Sequence, residues 1–189
     1  VSDGGTGGHG STYGNGMDLG VKLVMDNGLT LGAYGAEREN ITHIPSGTDG
    51  VRDEFNGTWF ATYAAGPVSI GYQTSYVDTG LAGGTVTAAT TAKAIGTSDG
   101  IWEDTQMSIL FNVNDNLSVS WTDATSTYDA QDNASTAIAD VDADLDAIQI
   151  AYSMGGMSIN AYMMSASNPG WDSDAKDVDT TEVSIGLAF

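Results

Sequence analysis

Apolar and polar residues alternate with a period of two along most of the chain. Every second residue between positions 17 and 25 is large and apolar, and the residues between them are mostly polar or small: Met17, Leu19, Val21, Leu23 and Met25 form the apolar set. The alternation resumes after Asp26-Asn27-Gly28, a tripeptide whose Asn and Gly tolerate the positive φ angles of a tight turn. This pattern predicts two β-strands joined as a hairpin.

The same alternation recurs to the end of the chain and predicts about nine strands. It is clearest near 17–25, 29–34, 57–65, 68–76, 107–113, 117–122, 148–152, 157–163 and 183–189. We expect strands of roughly 9–11 residues, the length that crosses a bilayer when the strand is tilted.

The predicted connections alternate between tight turns and long loops. Tight turns fall at 26–28, 66–67, 114–116 and 155–156, and long loops near 38–56, 78–103, 125–144 and 167–180. Short turns at one end and long loops at the other are typical of outer-membrane barrels. The fold class predicted is therefore all-β, an antiparallel up-and-down transmembrane β-barrel.

A soluble β-sandwich also has strands with alternating apolar and polar residues. The residue types on the polar side of the strands distinguish it from a membrane barrel. That side consists mostly of Ser, Thr, Gly, Asn, Gln and Ala, as expected for a wall bordering a water-filled lumen. The solvent face of a sandwich usually carries more Lys and Glu. Large aromatic residues near the strand ends match the girdle at a membrane interface. These features favour the membrane barrel, with its apolar side against lipid.

Composition excludes several kinds of function. The chain has 25 acidic and 5 basic residues, a formal net charge of −20, which argues against binding nucleic acid. Without cysteine there are no disulfides, thiolate metal sites or cysteine nucleophiles. The two histidines, His9 and His43, lie in predicted loops flanked by Gly or Pro and outside any G-x-S-x-G context. We expect the protein not to be an enzyme.

The final strand carries a family resemblance. The sequence VSIGLAF at 183–189 resembles the terminal strand of Gram-negative porins, which ends in an aromatic residue on the lipid face. GPVSIGYQTSYVDTG at 66–80 and the stretch 145–189 are similar to general porins of the alphaproteobacterial type. The resemblance implies the cell outer membrane as location, a homotrimer as assembly, and passive diffusion of small hydrophilic solutes. It also implies an assembly signal formed by Val183, Ile185, Leu187 and Phe189.

Family porins contain sixteen strands per monomer, which is more than this chain supplies. We therefore expect residues 1–189 to form the carboxy-terminal half of a larger barrel, with 1–16 as an extracellular loop. The alternative is an irregular strand within 1–16, which would make a small complete barrel of about ten strands.

A few charges fall on the predicted lumen side. Asp18, Lys22 and Glu182 are the candidates within strands, and Glu37, Arg38 and Glu39 lie near the outer mouth. Lys22 would be costly on the lipid face, so we expect it to line the pore. It would either belong to a cationic ladder such as the family implies or pair with Asp18 or with a residue of a neighbouring strand. The net negative charge predicts mild cation selectivity.

One acidic run raises a metal-binding hypothesis. Asp140, Asp142, Asp144 and Asp146 occupy alternate positions and would share one face of an extended strand. Carboxylate oxygens are ligands for Ca²⁺, although the run lacks the Gly of an EF-hand loop, and a solvated acidic loop is the favoured alternative. Two functions thus remain open: an outer-membrane porin, or a secreted β-sandwich adhesin or structural surface protein with calcium-binding loops.

Overall fold

The computed structural model describes residues 13–40, 53–80, 100–129 and 139–188. Nine strands account for most of them: β1 (Tyr13–Val24), β2 (Leu29–Asn40), β3 (Glu54–Ala65), β4 (Val68–Asp78), β5 (Ile101–Asn114), β6 (Leu117–Asp129), β7 (Val141–Met154), β8 (Met157–Ser167) and β9 (Val178–Leu187). Within these ranges there is no helix long and apolar enough to span a membrane.

The strands form a single antiparallel sheet in which each strand pairs with the next in sequence order. This confirms the predicted all-β, up-and-down fold. Among the described residues β1 and β9 make no contact with each other, so both outer strands leave one edge unpaired.

The register keeps the apolar residues of neighbouring strands on one face. Tyr63 lies opposite Ile70, which lies opposite Ile109, and the same row continues through Trp121 and Ile148. Because side chains alternate between the two faces of a strand, residues in one such row share a face. We call the face that carries this row the apolar face and the opposite one the polar face.

The tight turns lie where the sequence predicts them, at one end of the sheet. In the β1–β2 turn Gly28 has a φ of 90° and its N–H donates to the Met25 carbonyl at 3.1 Å. The Leu29 N–H donates to Asn27 Oδ1 at 3.1 Å. In the β5–β6 turn Asn114 Oδ1 accepts from the N–H groups of Asn116 and Leu117. The side-chain oxygens of Asn thus bind main-chain N–H groups that the ladder leaves free.

Several strands extend further toward the loop end than the alternation predicts. β5 begins at Ile101, β6 continues to Asp129 and β7 begins at Val141, so the predicted loops near 78–103 and 125–144 are too long. β1 begins at Tyr13, so residues 13–16 belong to a strand rather than to the predicted extracellular loop 1–16. Toward this end polar residues occupy both faces, and the alternation fades while the main-chain hydrogen-bond ladder continues.

The described residues bury very little apolar surface. The buried hydrophobic residues are Ile101, Tyr128, Val141 and Ala147, and no large side chain is fully buried. On the apolar face the exposed fractions are 44% for Ile70, 37% for Ile109, 44% for Ile150 and 65% for Ile185. No second layer of described protein therefore covers this face.

Candidate functional site

The polar face is the concave face of the sheet. One depression on it is lined by residues of five consecutive strands, including Ser120 of β6, Gln149 of β7, Asn160 of β8 and Glu182 of β9. A depression that spans five neighbouring strands on this side indicates that the sheet curves toward it. The polar face, which we call the inner wall, is therefore the candidate functional surface.

All four residues predicted to line a pore lie on this wall. Asp18 and Lys22 are on β1, Arg38 is on β2, and Glu182 is on β9 opposite Tyr162 of β8. Tyr162 donates its hydroxyl hydrogen to Glu182 Oε2 at 3.1 Å. The alternation within each strand is enough to place these side chains, because the large apolar residues of each strand share one face and fix its parity.

Lys22 and Asp18 do not pair with each other. They lie four positions apart on one strand, which corresponds to about 13 Å along an extended chain. Among the described residues neither of them makes an ion pair, whereas Arg38 Nη1 lies 3.8 Å from Glu54 Oε2. The structure thus favours a Lys22 ammonium that faces the open side of the wall.

Aromatic rings lie against the wall beside Lys22. Tyr34, Thr58 and Phe60 share a depression with it. The Phe60 ring lies over Gly32, where an added Cβ would come within 2.2 Å of a ring carbon. Gly32 therefore allows the ring to lie flat on the wall.

The prediction that Glu37 and Glu39 face the lumen is wrong. Glu37 lies opposite Met17 and Phe55, and Glu39 follows two residues later with the same side-chain direction. Both therefore belong to the apolar face at its loop end, and Glu39 Oε2 there accepts the N–H of Asn15 at 3.2 Å. Arg38, between them, faces the concave side because successive residues point to opposite faces.

Sequence analysis did not identify Asp104 as a residue of the inner wall. Its carboxylate accepts hydrogen bonds from the hydroxyl groups of Ser75 on β4, at 3.1 Å, and Ser126 on β6. Glu54, the partner of Arg38, was missed as well. Both residues lie beyond the stretches in which the alternation is clear, and extending the parity of β5 and β3 past those stretches would have found them.

An aromatic cluster lies on the polar face at its loop end. The Trp102 and Tyr128 rings have centroids 4.9 Å apart, and Trp171 from the β8–β9 connection lies 6.1 Å from Trp102 and 6.2 Å from Tyr128. Val141 is packed with them. Among the described residues the buried Nε1 of Trp102 has no hydrogen-bond partner, whereas Nε1 of Trp171 donates to Ser126. No local sequence pattern indicated this cluster.

The acidic run of β7 lies on the other face. Asp142, Asp144 and Asp146 share the face of Ile148, and Asp140 precedes the strand. Asp142 accepts a hydrogen bond from Thr127 at 2.6 Å, and Asp144 accepts one from Thr125 at 2.8 Å. In the described ranges no three His, Asp or Glu side chains converge as a metal site. Burial, followed by repulsion from Asp129 and Asp142, raises the pKa of Asp140 above its usual 3.8.

Three of the residues predicted to form an assembly signal, Val183, Ile185 and Leu187, lie on the apolar face of β9, opposite Ala161, Ile159 and Met157. They are 62%, 65% and 59% exposed. Phe189, His9 and His43 lie outside the described residues, so the roles assigned to them stay predictions.

The described chain is thus an antiparallel all-β sheet with a convex apolar face and a concave polar face. Among solved structures it is similar to OmpT (folded in vitro), an outer membrane protein of Vibrio cholerae, with a TM-score of 0.48 and 16% sequence identity. The match covers 92% of this chain and 56% of that one, so the chain spans about half of that protein's length. No family model matches the sequence, and no curated protein matches it significantly.

Proposed function

We propose that the chain forms part of the wall of an outer-membrane porin, a water-filled channel for the passive diffusion of small hydrophilic solutes and ions. The observation that carries this proposal is the uncovered apolar face. Met17 and Leu19 are 71% and 77% exposed, and the apolar residues of the other strands continue the same surface. A patch of this kind promotes aggregation in water, whereas in a barrel wall it contacts hydrocarbon.

The lengths of the strands support a membrane-crossing wall. The strands contain 10 to 14 residues. A tilted strand needs about 9–11 residues to cross the hydrocarbon core. Their loop ends therefore extend past the hydrocarbon, which agrees with the Asp and Thr residues on the apolar face there. Asp123 and Asp146 are the first carboxylates above the apolar residues of β6 and β7.

The charges on the polar face support mild cation selectivity. In the described strands four carboxylates lie on this face (Asp18, Glu54, Asp104 and Glu182), against two cations, Lys22 and Arg38. A water-filled lumen lined by an excess of one sign concentrates ions of the opposite sign.

A barrel wall of this kind must be completed by further strands. Hydrocarbon does not tolerate an open sheet edge, because each unpaired N–H and C=O group there lacks a hydrogen-bond partner. β1 and β9 are separated by an even number of antiparallel steps and therefore run in the same direction. Antiparallel closure then needs an odd number of additional strands, and seven would give the sixteen-stranded barrel that the porin resemblance implies. The homotrimer belongs to the same proposal.

The alternative, a secreted β-sandwich adhesin, requires a second sheet packed on the apolar face. The exposure of Ile70, Ile109 and Ile150 leaves it without support in the described part of the chain.

Planar bilayer recording tests the proposal. The complete protein, with the strands that close the barrel, refolded in detergent, is expected to produce stepwise conductance and a reversal potential that favours K⁺ over Cl⁻ in a KCl gradient. Lys22→Gln removes a cation from the wall and should increase this preference. Glu37→Gln, on the opposite face, is the control and should leave the preference for K⁺ unchanged. Folded, heat-modifiable protein without conductance would rule out a porin, and anion preference would overturn the selectivity.

A further inference from the structure

The connection between β8 and β9 folds inward across the polar face. Trp171 Nε1 donates to the Ser126 carbonyl oxygen at 2.9 Å and lies 3.2 Å from Ser126 Oγ. Ser126 belongs to β6, whereas the connection begins after β8, so the chain passes over β7 to reach it. Ala143, the β7 partner of Ser126, is small and leaves room for this crossing.

The indole of Trp171 is held by packing as well as by hydrogen bonds. It packs against Tyr128 and Val141, whose exposed fractions are 6% and 5%, and its ring meets that of Trp102 edge-on. These residues are among the few buried ones in the described chain. Buried aromatic contacts of this kind add to the burial of apolar area, so the indole fixes the connection to the wall.

The main chain of the connection adopts an uncommon conformation. Asn168 and Trp171 have φ angles of 45° and 54°; Asn tolerates this region, whereas a bulky side chain such as that of Trp171 rarely occupies it. Such strain persists only where the surroundings enforce it. The side-chain amide of Asn168 donates to the Asp142 carbonyl at 2.8 Å, and the Trp171 N–H donates to the Asn168 carbonyl at 2.9 Å. The turn is therefore tied to β7 at its start and to β6 at Trp171.

The connection brings acidic side chains with it. Residues 168–177 contain Asp172, Asp174 and Asp177 against the single cation Lys176. The Asp174 N–H donates to Asp172 Oδ1 at 3.0 Å, and the Ala175 N–H donates to the Asp172 carbonyl at 2.9 Å. Asp174 and Asp177 are exposed.

We propose that residues 168–177 form a fixed ledge that narrows the outer entrance of the pore and selects for small hydrated cations through its carboxylates. This inference rests on the proposed porin function. Trp171 is the positioning residue, because it holds the ledge over the polar face. The carboxylates of Asp172, Asp174 and Asp177 supply the negative electrostatic potential that attracts cations.

Single-channel recording of two variants tests the ledge. Trp171→Ala removes the anchor, so conductance should rise and the reversal potential in a KCl gradient should shift toward zero. The double variant Asp172→Asn/Asp174→Asn keeps the size of both side chains and one oxygen in each, and it removes two charges. It should shift the reversal potential in the same direction while conductance at high salt stays the same. Asp123→Asn, on the apolar face, is the matched control for loss of a charge.

The outcomes separate the ledge from the porin itself. If wild-type protein conducts and both variants match it in conductance and selectivity, the ledge is refuted and the porin stands. If folded wild-type protein does not conduct, the porin fails first. Should Trp171→Ala not refold, as judged by heat-modifiable gel migration, the double variant alone decides, and an unchanged reversal potential would refute the ledge.

Discussion

Asp123 and Asp146 lie directly opposite each other across β6 and β7, two carboxylates on the apolar side of the sheet. One step toward the tight turns, Trp121 lies opposite Ile148. One step toward the loops, Thr125 donates to Asp144. In the described part of the chain no hydroxyl group donates to Asp123 or Asp146. The pair thus marks the level at which the apolar residues of this face give way to polar ones.

Removing one charge of this pair should stabilise the sheet. Like charges directly opposite on neighbouring strands are unfavourable, so Asp123→Asn should raise the free energy of unfolding by about 0.2–1 kcal/mol. Asp144→Asn is the control. The Asp144 carboxylate accepts hydrogen bonds from Thr125 and Ser167, so removing its charge should not stabilise the sheet. Urea unfolding in lipid vesicles measures both. Equal effects of the two substitutions would contradict this account of the pair.

The β1–β2 turn should not tolerate a side chain at Gly28. Its φ of 90° is strained for any other residue, and an added Cβ would lie 2.1 Å from the Ala64 carbonyl oxygen of β3. Gly155 has a φ of 59° and nothing within 4 Å of an added Cβ, so Gly155→Ala carries only the backbone cost of about 1–2 kcal/mol. Gly28→Ala should cost about 1–3 kcal/mol more, because the hairpin must shift. Equal losses in the same unfolding assay would show that the β1–β2 hairpin is loosely packed against β3.

An arginine introduced at either of two neighbouring positions of β7 should have different effects on stability, because the two side chains point to opposite faces. Ile150 shares the apolar face with Ile148 two positions earlier, opposite Val119, whereas Gln149 lies opposite Ser120 on the polar face. Ile150→Arg should destabilise the folded protein in a bilayer by about 2–4 kcal/mol if it lies near the midplane. Gln149→Arg should leave stability nearly unchanged and reduce cation preference. Equal destabilisation by both would contradict the assignment of the two faces.

The pKa of the Asp140 carboxyl should lie above its ordinary value. Its pKa is raised by burial and then by Asp129 and Asp142, which means that the folded state disfavours the charged form. Stability linked to this group is therefore present at low pH and is lost as the pH rises through the folded pKa. Asp142→Asn should lower the Asp140 pKa, as measured by carboxyl-carbon NMR in micelles. An unchanged value would remove Asp142 as a cause.

Alternation predicted the sheet and much of its inner wall because the uncovered apolar face imposes it on every strand. Asp18, Lys22, Arg38 and Glu182 follow from parity alone. The loop ends of β5 and β7 were missed because polar residues occupy both faces there. The contact of Trp171 with Ser126 spans 45 positions and depends on how the β8–β9 connection folds back, which no local pattern encodes.

The absence of native cysteine allows the central claim to be tested with single cysteines introduced along β7. Cysteines at positions 148, 149, 150 and 151 would be treated with a water-soluble, membrane-impermeant thiol reagent in lipid vesicles. The account predicts rapid modification at 149 and 151, which face the lumen, and protection at 148 and 150, which face hydrocarbon. A lipid-soluble reagent should then reach 148 and 150. Aqueous modification at all four positions, or protection of 148 and 150 from both reagents, would contradict it.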